Sequence, residues 1–346
     1  MAVTGRSERD LAAELANSEF VRVAPRSDGD SIAAAGLLLR ALAARSTPFQ
    51  ARVVPPTADP PTDATVPIGF PGGISPDERS ATAAAVEIVR DLDCEPDPGL
   101  ALAGRLLGDE TDPDTDLDRR NGVGIPTADL ADGLAHSTLV HAGFSGDETA
   151  AGAHLAELAD DDRAVASLVA LETAGDEAAS DRAAHAIERA LRPHATPDGP
   201  FETAEGFADV LDCLARDAPG VALALATGHD VRTSALEAWR THARAAHEAI
   251  RTADTGRYDG LFVARIEEGP VETVARLLRD YRSPEPIVLV VADGEAGAAG
   301  VESVGDAVAE AAAAIGGTGG GTAVRGFARF DPPPEAFLEA FREAIR

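Results

Sequence analysis

The stretch Phe20-Val-Arg-Val-Ala-Pro-Arg-Ser-Asp28-Gly29-Asp30-Ser31-Ile-Ala-Ala-Ala-Gly-Leu-Leu-Leu-Arg40 decides how this chain starts to fold. Val21 and Val23 suit a strand, Gly29 permits a tight turn, and residues 32–42 have the apolar content of a buried helix. Asp28, Asp30 and Ser31 then stand at a helix N-terminus, where unpaired N–H groups face outward. A strand–turn–helix of this kind can hold a metal or a phosphate. The same residues also suit plain capping of the helix by Asp30 or Ser31.

A second signal lies near the other end. Residues 307–315 read as a helix, followed by Gly316-Gly-Thr-Gly319-Gly320-Gly321-Thr322-Ala-Val-Arg325-Gly326 and a strand over 327–330. Five glycines in the six positions 316–321 let backbone N–H groups approach an anion closely. A flexible turn has the same composition.

Together the two segments resemble the DHH phosphoesterase superfamily, in particular its archaeal RecJ-like branch. Those proteins carry a first motif His-x-Asp-x-Asp-Gly and a C-terminal DHHA1 domain marked Gly-Gly-Gly-His. Residues 80–92, followed by Leu100-Ala-Leu-Ala-Gly-Arg-Leu-Leu-Gly-Asp109, resemble the helices that lead to the family's last acidic ligand. Gly133-Leu-Ala-His-Ser-Thr-Leu-Val-His141-Ala-Gly-Phe-Ser-Gly-Asp147 resembles the segment that follows in archaeal members, and Leu211-Asp-Cys213-Leu-Ala-Arg216 occupies the place of an Asn-Ala-Cys-Gly-Arg segment. The resemblance implies an α/β architecture of two domains: a parallel-sheet N-terminal domain joined by a long helix to a smaller α/β C-terminal domain.

The departures from the pattern bear on chemistry. Active members hold two Mn or Mg ions with a cluster of Asp and His, and these ions activate a water and stabilise charge on phosphorus. Here the His position of the first motif is Ala24 and its first Asp position is Arg26. A guanidinium binds no metal and repels one. The Asp-His-His itself is absent from residues 64–75, and Thr322 stands where the C-terminal His belongs. Asp28 and Asp109 remain as remnants, with Asp30 a third carboxylate that would have to reach a metal from the first helical turn. His136 and His141, like His242 and His247, are five apart, which is not the spacing of a helical metal pair. The expectation is therefore no catalytic residues, no cofactor and no metal. Mn or Mg at Asp28, Asp30 and Asp109 belongs to the alternative in which activity survives.

Composition adds a physiological setting. The chain has 346 residues, 59 acidic against 30 basic, a net charge of −29, and no lysine. Such a surface suits an extreme halophile, where dense charge keeps proteins soluble in molar salt, so the net charge says little about partners. Eleven Phe, two Tyr and one Trp give little material for a stacking groove. Phosphate contacts would fall to arginine, with Arg26, Arg216 and Arg325 best placed beside the Gly29 backbone and Gly319, Gly320 and Gly321 if the domains face each other as in the family. Each of these arginines equally suits an ordinary ion pair with a neighbouring carboxylate. Cys94 and Cys213 suit free thiols in a reducing cytoplasm. Residues 1–10 lack the apolar core of a signal peptide, and no membrane span is expected.

Punctuation predicts an entry helix over 10–19, strands over 49–54 and 66–70, helices from residues 80 and 99, and a solvated acidic loop over 108–120. Residues 150–191 read as helical and alanine-rich, and 233–252 as a long connecting helix with Trp239 as an interface anchor. Strands over 260–266 and 286–292 flank a helix over 270–281 in a βαβ pattern, and a helix over 334–345 closes the chain. The domain division is then 1–200, 201–255 and 256–346.

Three functions fit. The first is a RecJ-like pseudoenzyme, similar in logic to the eukaryotic helicase accessory subunit descended from RecJ. It would serve replication or repair through partners such as GINS or MCM and touch single-stranded DNA or RNA. The second is a divergent Mn-dependent exonuclease or phosphodiesterase, and the third an RNA- or ribosome-linked binding module.

Overall fold

The computed structural model describes residues 8–70, 72–74, 80–108, 110, 113–156, 158 and 161–346. In chain order the elements are α1 (Glu8–Ala16), β1 (Val21–Pro25), α2 (Gly29–Ala44), β2 (Phe49–Ala51), β3 (Val66–Ile68), α3 (Ala81–Asp91), α4 (Pro98–Leu107), α5 (Leu130–His136), α6 (Glu148–Leu155), α7 (Asp162–Ala174) and α8 (Ala183–Glu188). There follow α9 (Ala204–Asp217), α10 (Pro219–Ala226), α11 (Arg232–Thr252), β4 (Asp254–Tyr258), β5 (Leu261–Arg265), α12 (Val271–Tyr281), β6 (Ile287–Ala292), β7 (Glu295–Ala299), α13 (Val304–Ala314), β8 (Thr318–Gly321), β9 (Arg325–Arg329) and α14 (Pro334–Ala344). The architecture is α/β, with one parallel and one mixed sheet. Compactness divides the chain into one unit of Met1–Arg120 with His194–Trp239 and another of Asn121–Pro193 with Arg240–Arg346, α11 running through both in sequence.

The first unit is organised by α2. Its residues Ile32, Leu37, Leu38, Leu39 and Leu42 are at most 1 % exposed, as are Ala33, Ala34 and Ala35. A helix apolar all round must be enclosed, and α3, α4, α9 and α10 pack against it. Beneath it lies the parallel sheet β2-β1-β3, with Val21 opposite Phe49 and Val23 opposite both Ala51 and Val66. Parallel neighbours need a crossover, and α2 supplies the one between β1 and β2. Trp239, expected to anchor an interface, is wholly buried in this unit's core, and its indole N–H donates to Asp209 Oδ2 at 3.0 Å.

The second unit holds the six-stranded sheet β4-β5-β6-β7-β9-β8. The β5–α12–β6 crossover is parallel, as read from the sequence. The β6–β7 pair is an antiparallel hairpin that the sequence reading missed, turning at Asp293-Gly294 with Gly294 at φ +77°. The α12 side of the sheet carries Val274, Leu277 and Leu278, and the other side carries Val308, Phe337 and Phe341. A separate cluster around Val123, Phe144, Val165 and Val169 fills residues 121–193.

Two expectations need correction. Residues 150–191 are not one helical run: Asp147 and Asp161 cap separate helices, and Gly175 ends α7. Alanine content favours helix everywhere, so it cannot mark the breaks that these caps impose. The glycines near the C-terminus do not form a loop: Thr318–Gly321 is strand β8, paired with β9. A Cβ on Gly319 would stand 3.0 Å from the Cβ atoms of both Ala312 and Ala328, so this glycine serves the close packing of α13 on the sheet.

Helix packing around α2 is equally tight. A Cβ on Gly36 would lie 2.6 Å from Ala226 Cβ and 2.7 Å from its carbonyl oxygen. Gly36→Val is therefore expected to lower unfolding free energy by about 1–3 kcal/mol, seen as a reduced urea midpoint at unchanged slope.

Candidate functional site

The strand–turn–helix read first in the sequence forms one polar cluster inside the first unit. Arg26 closes β1, its N–H bonded to the Ile68 carbonyl at 2.9 Å, and Ser27 N–H bonds to the Val54 carbonyl at 2.8 Å. The chain end is thus gripped from both neighbouring strands before α2 starts. Asp28 is the N-cap of α2, its Oδ1 accepting from Ser31 N–H at 2.9 Å. Its Oδ2 accepts from the Ser31 hydroxyl at 2.9 Å and from Arg26 Nε at 2.7 Å. Both oxygens of this carboxylate are therefore engaged, one of them by a guanidinium.

Gly29 was expected to make a tight turn. It is instead the first residue of α2 and is buried, and a Cβ there would lie 2.6 Å from Leu107 Cδ1 and 3.5 Å from Asp212 Cα. Its missing side chain serves the approach of α4 and α9, and its backbone is covered. The turn glycine of the cluster is Gly69, at φ +78°, where a Cβ would meet Ser31 Oγ at 2.3 Å and Arg26 Cβ at 3.2 Å. Only glycine allows the β3 exit to close on the cap.

Asp30 turns away from Asp28. Its Oδ2 accepts from Ala81 N–H at 2.7 Å and its Oδ1 from Thr82 N–H at 2.9 Å, so a carboxylate in the first turn of α2 caps the N-terminus of α3. Gly104 and Gly108 let α4 close over it: a Cβ on Gly104 would meet Thr82 Oγ1 at 2.2 Å, and one on Gly108 would meet Asp30 Oδ2 at 3.1 Å. Burial pushes the Asp30 carboxyl up to about 7, against the pull of Thr82 and the Ala81 N–H. Ser80 donates its hydroxyl to Glu110 Oε1 at 3.0 Å, and Arg105 Nε holds Glu110 Oε2 at 2.8 Å.

Arg216 approaches from α9. Ser27 Oγ donates to the Ala215 carbonyl, and Arg216 Nη1 lies 3.2 Å from Asp212 Oδ1 one turn back. Arg26 and Arg216, the two cations proposed for phosphate contact here, are each engaged by a carboxylate. Asp109 lies outside the described residues. Gly319, Gly320, Gly321 and Arg325 belong to the second unit, in β8 and β9.

Tested as a holder of two divalent ions, the described cluster does not fit. Asp28 is saturated by Arg26 and Ser31, Asp30 faces a helix N-terminus, and no third Asp, Glu or His joins them: among the described residues no group of three such side chains is placed to hold a metal. Sequence reading missed Gly69, Ser80, Thr82, Glu110 and Asp212. Of these, Asp212 with Arg216 was legible as an i, i+4 pair and Ser80 as a cap before an apolar run.

The second unit has its own polar features. His141 Nδ1 and His247 Nδ1 are 3.1 Å apart, and His247 Nε2 is 3.1 Å from the Ser137 carbonyl. His247 therefore donates through Nε2 and accepts at Nδ1 from His141. Burial pushes His141 down to about 2 and His247 down to about 3, so both stay neutral. His242 is buried, its Nε2 2.9 Å from Thr273 Oγ1. A hollow of about 420 Å³ beside the start of α6 is lined by Arg244 and Arg251 but also by Asp147 and Glu148, so its charges offset.

Comparison with known proteins places this geometry. The fold is DHH-like: CDC45 from Entamoeba histolytica shares it at a TM-score of 0.51 and 10 % identity, over 97 % of this chain and 96 % of that one. RecJ from Thermus thermophilus in complex with Mg2+ aligns at a TM-score of 0.46 and 16 % identity, and the chain spans 53 % of its length. The model for the C-terminal domain of the uncharacterised protein rrnAC1427 matches residues 253–343. The whole chain is 48 % identical over 377 aligned positions to rrnAC1427 of Haloarcula marismortui, all of both chains being covered. The chain belongs to the rrnAC1427 family. No helix among the described residues is long and apolar enough to cross a membrane.

The buried groups make a signed prediction. The folded chain keeps a proton on Asp30 that the unfolded chain releases near 3.8, so this group's contribution to stability is greatest in acid and declines as pH rises from about 4 to about 7. The His141–His247 pair acts oppositely: below 6.5 the unfolded chain takes up protons that the folded pair refuses until about 3, so stability falls with falling pH. Urea unfolding from pH 4 to 8 at fixed salt should show Asp30→Asn removing the first slope and His247→Gln weakening the second.

Proposed function

We propose that this chain is a catalytically degenerate RecJ-like protein that binds nucleic acid or scaffolds replication and repair proteins. The observation that carries the reading is the Arg26–Asp28 pair. At the strand end where a metal-binding carboxylate would stand, Asp28 holds a guanidinium at 2.7 Å and caps its own helix. A cation delivered to Asp28 would have to displace Arg26 and break the cap, which is worth about 1 kcal/mol on its own. Asp30, committed to α3 and pushed towards the protonated form, supplies no replacement.

The DHH-like fold shared with CDC45 supports a replication-associated role, and GINS or MCM proteins are the partners this reading names. Single-stranded DNA or RNA would be met by arginine, and Arg26 and Arg216 stand nearest the β1 end. The absence of lysine, the excess of acids and the Haloarcula relative support a halophilic, archaeal and cytoplasmic setting. In such salt, where the Debye length shrinks to about 3 Å at 1 M, only short contacts survive. No cofactor is needed.

The test is cleavage and retention of 5′-labelled single-stranded DNA and RNA at molar KCl with Mn2+, in the wild type and an Asp28→Ala/Asp109→Ala double variant. We expect no cleavage by either protein, with a labelled strand or a co-purifying replication protein retained. Cleavage lost in the double variant would establish a divergent metal-dependent exonuclease or phosphodiesterase instead. Retention of RNA alone would favour the RNA- or ribosome-linked module.

A further inference from the structure

The six-stranded sheet ends on one side in β4 and on the other in β8, and the two edges are built differently. Edge strands expose unpaired N–H and C=O groups that invite another chain, and proteins normally blunt them with charge, proline or bulges. The β4 edge is blunted: it carries Asp254 and Arg257, the latter ion-paired with Glu285 at 2.6 Å. Strand β8 reads Thr-Gly-Gly-Gly, with no charge and no proline.

Its hydrogen-bonding groups can be assigned by alternation. Thr322 N–H bonds to the Arg325 carbonyl at 2.8 Å, so Gly320 opposite Phe327 and Thr318 opposite Arg329 fall at the bonded positions of the antiparallel ladder. Gly319 and Gly321 then direct their N–H and C=O groups to the open edge.

The glycines themselves have different reasons. Gly319 is required by Ala312 and Ala328, and Gly321 by the Arg325 carbonyl, 2.0 Å from where its Cβ would be. Gly320 is required by neither packing nor backbone: nothing lies within 4 Å of its Cβ position, and it has no positive φ. It leaves a gap beside Phe327, which is only partly buried and shares its face of the sheet. Arg329 lies over that ring at 5.6 Å, is exposed, and has no carboxylate partner among the described residues. Its guanidinium is open to a carboxylate from outside the chain, next to Glu295, which stands opposite it on β7.

We propose that the β8 edge receives an extended acidic segment of a partner protein as a seventh strand. The main chain of that segment would pair with Gly319 and Gly321, an apolar side chain would lie over Gly320 against Phe327, and a neighbouring carboxylate would meet Arg329. Strand addition of this kind draws affinity from backbone bonds and specificity from alternate side chains. The inference goes beyond the reading above and stands without it.

The test uses the full-length protein and a ten-residue probe peptide alternating Glu with Val, alongside the same peptide N-methylated at alternate positions. We expect the probe to slow amide exchange at Gly319 and Gly321 by at least about ten-fold while Gly320 changes little, and the N-methylated peptide to leave all three unchanged. Gly320→Glu fits the open space without disturbing the fold and should weaken the probe at least about ten-fold at an unchanged melting temperature, with Arg329→Glu weakening it too. Equal protection by the N-methylated peptide, or none by either, would overturn the proposal. So would protection of the same amides by a single-stranded oligonucleotide and not by the peptide, which would assign the edge to nucleic acid.

Discussion

Helix α2 is apolar on every face, and the first unit is arranged around that constraint. A helix with no polar stripe cannot lie on a surface, so it must be enclosed by the sheet below and by α3, α4, α9 and α10 around it. Enclosure carries the polar first turn of α2 inward with the rest, and buried polar groups cost free energy unless each finds a partner. Asp28, Asp30 and Ser31 are arranged by that requirement. Asp28 satisfies its own helix, and Asp30 satisfies the start of α3, joining by hydrogen bonds two helices that small residues bring together.

Arg26 follows from the same constraint. A carboxylate at the mouth of an enclosed helix needs a counter-charge, and either a metal or a guanidinium can supply it. With Arg26 two residues before Asp28, the counter-charge is built into the chain and is delivered as soon as β1 ends. The strand end, the cap and the glycine at 69 that lets β3 close over it are held together around this pair. Asp30 turns inward instead and is taken up by the start of α3.

Much of this was legible in the sequence, for identifiable reasons. The β1–α2 junction could be read because an alternating strand, an Asp cap and an apolar helix lie within 21 consecutive residues. The pairing of Asp28 with Arg26 was within reach, since both stand on one short segment. The capping of α3 by Asp30 was not, because it joins residues 51 positions apart and depends on how α4 closes over them. The glycine run at 316–321 misled because glycine reports what the backbone is free to do, whereas β8 uses it for what α13 leaves no room to hold. Strand β7 passed unnoticed because Glu-Ala-Gly-Ala-Ala has no β-branched residue, and β4 because Asp-Thr-Gly-Arg-Tyr has a central glycine and two charges that read as a loop.

On the proposed reading Asp28, held by Arg26 and capping α2, takes no metal. Titration of the labelled protein with paramagnetic Mn2+, reading the line widths of the Ser31 and Gly69 amides, addresses it without depending on any substrate. No saturable broadening is expected at these amides. Saturable broadening that Asp28→Ala abolishes would contradict this reading, and would mean that the ion displaces the guanidinium.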